Sequence, residues 1–425
     1  MGWRISESPR QGNANHNQTS KKDMTVDGDI RFATGRRVLI LVQNLPVPFD
    51  RRVWQEAVSL RRIGWDVSVI CPSNDKHPQG QFQIDGVSVY RFAPVPEARN
   101  PLGYLREYTL SLLLMRKAIR ILSRDGRFDV IHFCNPPDLL ALLALEQKLV
   151  AKSRIIFDQH DLGPELVLAK AMPASWVLTR VARLFERIAY ASANKVIATN
   201  ESYREIAIRR GKKSPEDVVI VRSAPSRSWA ESIPRNLKWR ENHEYQIGYL
   251  GVIGQQEGLH FAIEALKILR EKYSKDVFFT VVGSGTDVEK IKSLTKKLGL
   301  EDVVRFHGRL PDSEMKSALG SADVCINPDV FSDLNNLSTM NKIVEYMALG
   351  VPIVQFDLKE GKFSAQESSL YAEPDSSFSL AEKVNFLLDN HEVRKRMGVL
   401  GRTRFQTELC WEIQESKLYE VYESK

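Results

Sequence analysis

Short apolar runs alternate with longer amphipathic segments along most of the chain. The runs are continuous and rich in β-branched residues, which is typical of parallel strands buried on both faces. The runs predicted as strands are residues 37–43, 66–71, 87–92, 129–133, 154–158, 195–199, 218–222, 245–250, 277–282, 303–307, 323–327 and 352–356. Helical segments separate them, so the pattern predicts an α/β protein built from doubly wound parallel sheets.

One polar stretch interrupts this alternation and divides the chain into two similar halves. Residues 226–243 contain a proline and have no clear period, so we predict that they connect two domains. The predicted domains are residues 36–225 and residues 244–407, two Rossmann-like sheets that face each other across a cleft. Residues 408–425 are predicted to form a final helix that packs back on the N-terminal domain.

Composition narrows the class of protein. Hydrophobic residues make up 43% of the 425 residues and charged residues 27%, as in soluble globular proteins. Residues 1–35 are polar and are predicted to be a disordered tail, because they lack the apolar core of a signal peptide. Four cysteines without metal-ligand spacing favour a reducing compartment. The predicted location is the cytoplasm, with a peripheral position at the cytoplasmic face of the membrane as the alternative.

Positive charge is concentrated in the first half of the chain. The net charge of +7 divides into +14 for residues 1–240 and −7 for residues 241–425. Two basic amphipathic segments, residues 104–122 and 176–190, carry part of this excess and could lie on an anionic membrane surface. The alternative is that both are core helices with solvated outer faces. Binding of nucleic acid is not predicted, because the basic residues are not interleaved with an aromatic platform.

The segment 338–350 reads STMNKIVEYMALG and predicts a short helix with Ser338 or Thr339 as its N-cap. Lys342 falls in the first turn, where the helix dipole disfavours a cation. A bound diphosphate would reverse that effect, because the lysine and the free amides would share one anion. Glu345 lies on the same face and could accept two hydrogen bonds from a ribose diol. The alternative is a Lys342–Glu345 ion pair on the surface.

This segment resembles the donor-binding segment of the family-4 glycosyltransferases, which have the GT-B fold. The resemblance continues through NLPVPFDRRVWQEA (44–57), FDQHDLGPE (157–165), GYLGVIGQQEGL (248–259) and DLKEGKFSAQESSLYAEP (357–374). It implies a retaining glycosyltransferase of the hexosyltransferase type, of the kind used in bacterial polysaccharide biosynthesis. The implied donor is a UDP- or GDP-linked sugar, and the implied acceptor is a glycan or a lipid-linked glycan.

The resemblance also assigns roles to residues. The helix start and Lys342 would hold the diphosphate, Glu345 the ribose, and His160 the donor sugar, so His160 and Lys342 are the predicted catalytic residues. The predicted donor-binding residues are Gly251, Gly254, Gly283, His307, Arg309, Asn335, Asn336, Ser338, Thr339, Asn341 and Glu345. For the glycine-rich turn and the turns at Gly283 and His307, a purely structural role is an equal alternative. No metal or other cofactor is predicted, because helix amides and Lys342 would stabilise the leaving diphosphate.

The chain departs from the family pattern at three positions. Leu337 stands where the family commonly has a second glutamate that contacts the donor sugar. The candidate substitutes for that carboxylate are Asp333, Asn335 and Asn336. Val252 and Glu257 stand where the family often has an arginine and a lysine, so Lys342 and Arg309 are expected to neutralise the diphosphate instead.

The first half would supply the acceptor side of the cleft. The candidates lie in loops that follow predicted strands, and they are Asn44, Asp50, Arg51, Asn135, Asp138, Asp161 and Glu165. Asp50 could simply cap the following helix. Arg51 in the first helical turn would suit an anionic ligand or a lipid headgroup, and it would equally suit plain solvent exposure. Asp161 and Glu165 could orient His160 or bind sugar hydroxyls.

Two other functions fit the same architecture. One is a sugar-nucleotide epimerase, which would change the nucleotide sugar without any acceptor. The other is a non-catalytic partner subunit that keeps the fold and has lost turnover. Leu337, Val252 and Glu257 support this second alternative.

Overall fold

The computed structural model describes residues 35–96, 101–169, 175–231 and 234–423 of the chain. The tail predicted for residues 1–35 therefore lies almost entirely outside the described residues. The described part forms two α/β units, each built around its own sheet.

The N-terminal sheet has eight strands. They are β1 (Arg37–Leu41), β2 (Asp66–Pro72), β3 (Gly80–Ile84), β4 (Val87–Phe92), β5 (Val130–Cys134), β6 (Arg154–Gln159), β7 (Lys195–Ala198) and β8 (Val218–Ile220). Their order in the sheet is β3-β4-β2-β1-β5-β6-β7-β8, and only the β3–β4 pair is antiparallel. Strand β3 was not predicted, because its residues alternate between half-buried and exposed and form no apolar run.

The C-terminal sheet has six parallel strands. They are β9 (Tyr245–Leu250), β10 (Val277–Val282), β11 (Val304–Phe306), β12 (Val324–Asn327), β13 (Ile353–Phe356) and β14 (Ser369–Ala372). Their order is β11-β10-β9-β12-β13-β14. Strand β14 was missed because its four residues include two with polar side-chain groups. The prediction of two doubly wound parallel sheets is confirmed, and every predicted strand overlaps an observed one.

Helices cover both faces of the two sheets. In the N-terminal unit they are α1 (Arg51–Arg62), α2 (Pro101–Leu122), α3 (Ala141–Val150), α4 (Gly163–Ala169), α5 (Ser175–Ser192) and α6 (Glu201–Arg209). In the C-terminal unit they are α7 (Leu259–Glu271), α8 (Val288–Lys297), α9 (Asp312–Gly320), α10 (Asp333–Leu337), α11 (Asn341–Leu349), α12 (Lys359–Ala365), α13 (Ser377–Asp389) and α14 (His391–Arg404). The last described helix is α15 (Trp411–Glu423), which follows a π-helical segment at Phe405–Leu409.

Strand β1 shows why continuous apolar runs mark these sheets. Leu39 and Leu41 pack into one buried cluster, while Val38 and Ile40 pack into another on the opposite face. All four are completely buried. Since successive side chains of a strand point to opposite faces, only a sheet covered on both sides accommodates such a run.

Helix α15 packs on the N-terminal unit. The indole Nε1 of Trp411 donates to Ser59 Oγ on α1 at 3.1 Å, and Tyr422 Oη lies 2.7 Å from His132 Nδ1 on β5. Leu418 is fully buried in the cluster that contains one face of β1. The C-terminal end of the chain thus contributes to the core of the first unit, and it ties the two units together next to the connection at residues 226–243.

The contacts of α15 lead to a stability prediction. Trp411→Ala should lower the unfolding temperature by about 5 to 10 °C, because it removes a large buried side chain and leaves a cavity. Trp176→Ala is the matched control, since Trp176 is 64% exposed. Differential scanning calorimetry measures both variants, and equal shifts would contradict the packing of α15 described above.

Candidate active site in the interdomain cleft

The carboxyl ends of the two sheets face a shared cavity of about 460 Å³. Doubly wound sheets bind ligands at this position. The N-terminal unit contributes Asn44, Asp50, Arg51, His160 and Asp161, among others. The C-terminal unit contributes Gln256, Glu257, Asn335, Ser338, Thr339 and Asn341. An adjoining cavity of about 340 Å³ is lined by Arg51, Trp229, Asp312, Asn341 and Glu345 among others.

Helix α11 begins at Asn341, two to three residues after the predicted caps, so the cap prediction was wrong. The hydroxyls of the two predicted caps, Ser338 and Thr339, make other hydrogen bonds. Ser338 Oγ bonds Tyr203 Oη at 2.8 Å, and Thr339 Oγ1 accepts from Asn200 Nδ2 at 3.1 Å. The N-cap is Met340, whose side chain makes no capping hydrogen bond within the described part of the chain. The N–H of Ile343 donates to the carbonyl oxygen of Met340 at 3.1 Å. Within the described part of the chain, the first-turn amides that are available to an anion are therefore those of Asn341 and Lys342.

Lys342 lies in the first turn of α11 and is 8% exposed. Its Nζ donates to Asp329 Oδ1 at 2.9 Å and lies 5.0 Å from the ring centroid of Tyr249. Burial opposes the charge, but the carboxylate of Asp329 outweighs burial and raises the pKa of Lys342. The alternative of a surface ion pair between Lys342 and Glu345 is wrong, because Lys342 is buried and its partner is Asp329.

Glu345 faces the other unit. Its Oε1 lies 3.6 Å from Arg51 Nη1 across the cleft, and Arg51 also pairs with Asp312. Burial raises the pKa of Glu345 to about 7, although Arg51 acts in the opposite direction. The guanidinium of Arg51 lies 5.5 Å from the ring of Trp229. The charge of Arg51 is thus balanced in the structure by two carboxylates of the C-terminal unit.

The glycines of the strand-end turns allow backbones to touch. Gly251 and Gly283 have φ of 153° and 141°, and a Cβ on Gly283 would overlap the carbonyl oxygen of Gly251. A Cβ on Gly254 would lie 2.8 Å from Glu257 Oε2. Packing alone accounts for these glycines, and their predicted contact with the diphosphate stays a prediction.

His307 and Arg309 lie beyond the shared cavity. The ring of His307 packs edge-on against Trp239 with centroids 5.2 Å apart, and burial lowers its pKa. Arg309 Nε donates to Ser284 Oγ at 3.2 Å, and its guanidinium lies 5.1 Å from the ring of Phe49 in the other unit. Arg309 therefore lies at the interface between the two units, whereas His307 packs beside their connection.

Asn335 and Asn336 make local contacts at α10. Asn335 is 5% exposed, and its Nδ2 donates to the carbonyls of Gln256 and Val330 at 3.0 and 2.9 Å. Asn336 Oδ1 accepts from the backbone N–H of Lys359 at 2.8 Å. Asn335 still borders the cavity, whereas the side-chain oxygen of Asn336 is occupied at α12.

His160 follows β6 and lines the cavity. Its backbone N–H donates to Asn135 Oδ1 at 2.7 Å, and the N–H of Asp161 donates to the same atom at 3.2 Å. Asn135 Nδ2 in turn donates to Asp138 Oδ1 at 2.9 Å. Asn135 and Asp138 are 2% and 6% exposed and hydrogen-bond to each other, and their contact with an acceptor stays a prediction. Both lie beneath the loop and hold it in place, and burial raises the pKa of Asp138 to about 7.

Two further acidic residues of the first unit have structural partners. Asp50 Oδ1 accepts from the N–H of Val53 at 3.2 Å, which is the helix cap that the sequence suggests. Glu165 accepts from Arg210 Nη1 at 2.6 Å, and Arg210 also binds Glu186. Glu165 therefore does not orient His160, because its carboxylate is engaged by Arg210.

The carboxylate that does contact His160 is Asp158, which the sequence reasoning missed. Asp158 Oδ2 lies 2.5 Å from His160 Nε2. Asp158 lies on β6 and His160 comes just after the strand ends, so no strand periodicity in the sequence linked the two residues. Asp329 was missed for a different reason, because it meets Lys342 only through the packing of α11 beside the end of β12.

Comparison with known proteins identifies the class. Residues 50–224 match the family described as "Glycosyl transferase 4-like domain", and residues 244–390 match "Glycosyl transferases group 1". The chain belongs to the glycosyltransferases, and the family-4 assignment made from the sequence is confirmed. The two matches together span most of both units.

Relatives of different activity match over most of their length. Glycogen synthase of Mycobacterium tuberculosis is 24% identical over 394 residues, covering 88% of this chain and 90% of the relative. Phosphatidyl-myo-inositol mannosyltransferase of Mycobacterium leprae is 28% identical over 387 residues, covering 90% and 94%.

Solved structures confirm the GT-B fold. Sucrose-phosphate synthase from Thermosynechococcus elongatus superposes with a TM-score of 0.74 at 17% identity, covering 91% of this chain and 98% of that one. Anabaena Alr3699/HepE in complex with UDP-glucose gives a TM-score of 0.69 at 16% identity, covering 92% and 100%.

The raised pKa of Glu345 predicts a stability effect that depends on pH. The Glu345 carboxyl holds its proton more tightly in the folded state than in the unfolded state. Its contribution to the unfolding free energy of the wild type therefore falls as the pH rises from 4.5 to about 7. Glu345→Gln carries no such charge. The unfolding free energy of Glu345→Gln minus that of the wild type should therefore increase by up to about 3 kcal/mol as the pH rises from about 5 to about 8.

Urea denaturation at the two pH values measures this gain. Glu289→Gln is the control, because the Glu289 side chain is 83% exposed and is expected to show no comparable change. A constant difference between Glu345→Gln and the wild type across this range would contradict the prediction.

Proposed function

We propose that the protein transfers a hexose from a UDP- or GDP-linked donor to a glycan or lipid-linked acceptor, with retention at the anomeric carbon. The observation that carries this proposal is the uncapped start of α11, which presents Lys342 beside a cavity lined by both units. Anabaena HepE, with the same fold, binds UDP-glucose. Mannosyl transfer to a phosphatidylinositol by a relative supports a lipid-linked acceptor, and we place the reaction in cell-surface polysaccharide biosynthesis.

The chain's own groups supply the chemistry in this proposal. The amides of α11 and the ammonium of Lys342 stabilise the departing diphosphate, which makes a resident metal unnecessary. Glu345 accepts hydrogen bonds from the ribose, and His160 positions the sugar. The leaving phosphate takes the proton of the acceptor hydroxyl on the same face, so the new bond forms where the old one breaks.

The role of Lys342 is tested with its partner Asp329. Lys342→Ala alone would leave a buried carboxylate unpaired, at a cost of about 3 to 5 kcal/mol, and would confuse stability with function. The double variant Lys342→Gln/Asp329→Asn keeps the site neutral. It should reduce sugar transfer about 100- to 1000-fold, because one stabiliser of the leaving group is lost.

The donor for this assay comes from a thermal-shift screen against UDP, GDP and their sugars, since a bound ligand raises the unfolding temperature. Asp329→Asn is the matched control, because it keeps the lysine and should retain transfer. It leaves a buried ammonium unpaired, so the unfolding temperatures of both variants are measured first and transfer is assayed where both are folded. Near-normal turnover in the double variant would reject the role of Lys342. An equal loss in Asp329→Asn would assign the effect to the carboxylate.

A second candidate function is that of a non-catalytic glycosyltransferase-like subunit. The observation that favours it is the charge of the subsite, where Asp329 already neutralises Lys342 and Glu257 borders the same cavity. Val252 is 54% exposed where the family often has an arginine. Calorimetric binding of a nucleotide sugar without transfer to any acceptor would support this function over catalysis.

We also propose that the N-terminal unit lies on the cytoplasmic face of an anionic membrane. On α5 the apolar side chains of Val177, Val181 and Leu184 are 39%, 44% and 54% exposed, and their spacing places them on one stripe. Arg180 and Arg183 are exposed beside that stripe. Basic residues next to exposed apolar ones suit an anionic leaflet. Helix α2 adds Leu113, which is 57% exposed. None of the described helices is long and apolar enough to cross a membrane.

Vesicle sedimentation tests the membrane proposal. The wild type should bind phosphatidylcholine vesicles that contain phosphatidylglycerol, and it should release them at high salt. Val181→Ser/Leu184→Ser should weaken binding about tenfold or more, because apolar area no longer enters the bilayer. Leu149→Ser on α3 is the control, since Leu149 is 66% exposed outside these segments. Equal binding by all three proteins would reject the proposed surface.

A further inference from the structure

A buried polar cluster lies beneath the loop of His160. It consists of Arg52 and Glu56 on α1, His132 on β5, Asp158 on β6 and Tyr422 on α15. Arg52 is 8% exposed and Tyr422 2%, while the other three are completely buried. Burying polar groups is costly unless they hydrogen-bond to one another. Both carboxyl oxygens of Glu56 and the Nε2 of His132 have no hydrogen-bond partner among the described residues.

Asp158 makes the largest number of these contacts. Its Oδ1 accepts from Arg52 Nη2 at 2.7 Å, and its Oδ2 accepts from Arg52 Nε at 3.0 Å. Oδ2 also lies 2.5 Å from His160 Nε2. Burial alone would raise the pKa of Asp158, but the guanidinium of Arg52 outweighs it and holds this pKa well below its usual range. Asp158 is therefore a charged acceptor at neutral pH.

The remaining members of the cluster add little charge. Burial raises the pKa of Glu56 well above its usual range, and burial lowers the pKa of His132. Glu56 Oε1 lies 3.2 Å from Arg52 Nη2, and His132 Nδ1 bonds Tyr422 Oη at 2.7 Å. The cluster thus reduces to one guanidinium and one carboxylate. Among the described residues, Asp158 is the cluster member that hydrogen-bonds the ring of His160.

This contact determines which nitrogen of His160 carries a proton. A carboxylate only accepts hydrogen bonds, so the 2.5 Å contact requires a proton on Nε2. The other ring nitrogen, Nδ1, has no hydrogen-bond partner within the described part of the chain. Asn135 fixes the backbone on the same residue through the N–H of His160 at 2.7 Å.

We propose that Asp158 is a positioning residue for His160: it holds the proton on Nε2 and leaves Nδ1 as the ring atom that meets the donor sugar. This inference rests on the proposed glycosyl transfer. Asp158 does not touch the ligand in this arrangement, and it acts through the orientation and tautomer of the imidazole.

The test compares two equivalent substitutions in the same cluster. In Asp158→Asn the amide can donate toward Nε2, so the proton of His160 should move to Nδ1. Glu56→Gln makes the same change of carboxyl to amide on a residue that contacts Arg52 and not His160, and it should leave the tautomer unchanged. Nitrogen-15 spectra of histidine-labelled protein read the tautomer directly, and His160→Gln identifies the His160 signals.

The kinetic measurement uses UDP-glucose and GDP-mannose, with release of UDP or GDP as the signal. Asp158→Asn should lower kcat about 100-fold, since the reacting sugar is misplaced, while binding of free UDP or GDP stays near the wild-type value. Glu56→Gln should retain both. A tautomer unchanged in Asp158→Asn would overturn the proposal, as would an equal loss of kcat in the two variants.

Two further outcomes are distinguishable. If the wild type turns over neither these probes nor any donor that the thermal-shift screen selects, the proposed function fails, while the spectra still decide the role of Asp158. The carboxyl, thiol and imidazole atoms of Glu56, His132, Cys134 and Asp158 lie within 4.8 Å of one another. One equivalent of zinc in the purified protein would make Asp158 a metal ligand and would overturn the proposal.

Discussion

The buried ion pair between Lys342 and Asp329 is the interaction on which the proposed site depends. It places a cation inside the first turn of α11, where neither burial nor the helix dipole would favour one. The pair lets that cation exist without a ligand, and the uncapped amides of α11 leave room for an anion beside it. A diphosphate would compete with Asp329 for the ammonium, so the strength of the pair sets how firmly a donor is held.

The architecture could be predicted from the sequence because the apolar runs that mark its strands are local features. A strand buried on both faces is mostly apolar, so β1 and β10 are readable from their own residues. Strands β3 and β14 both lie at the edge of a sheet. β3 is half exposed and β14 contains a serine and a tyrosine, so neither forms a continuous apolar run. The helix at α11 and its stop at Gly350, which has φ of 70°, were also readable from local residues.

The site was less predictable because its contacts are not local. Ser338 has the right chemistry for a helix cap, but its hydroxyl is held by Tyr203 from the other unit. Asn135 and Glu165 follow strands as functional residues do, yet they bond backbone amides and Arg210. No pattern of spacing in the sequence pairs Asp329 with Lys342. Polar residues at strand ends were correctly placed near the cleft, but their partners depended on packing.

Arg51 links contact between the two units to the proposed ribose site. It spans the cleft to Asp312 and Glu345, and Glu345 is the residue proposed to bind the ribose. A bound nucleotide and Arg51 of the N-terminal unit would therefore compete for the carboxylate of Glu345. Occupancy of the cleft and separation of the units are then linked equilibria, and each shifts the other by the same factor. Entry of the donor would release Arg51 from Glu345 and leave Asp312 as the carboxylate that links Arg51 to the C-terminal unit.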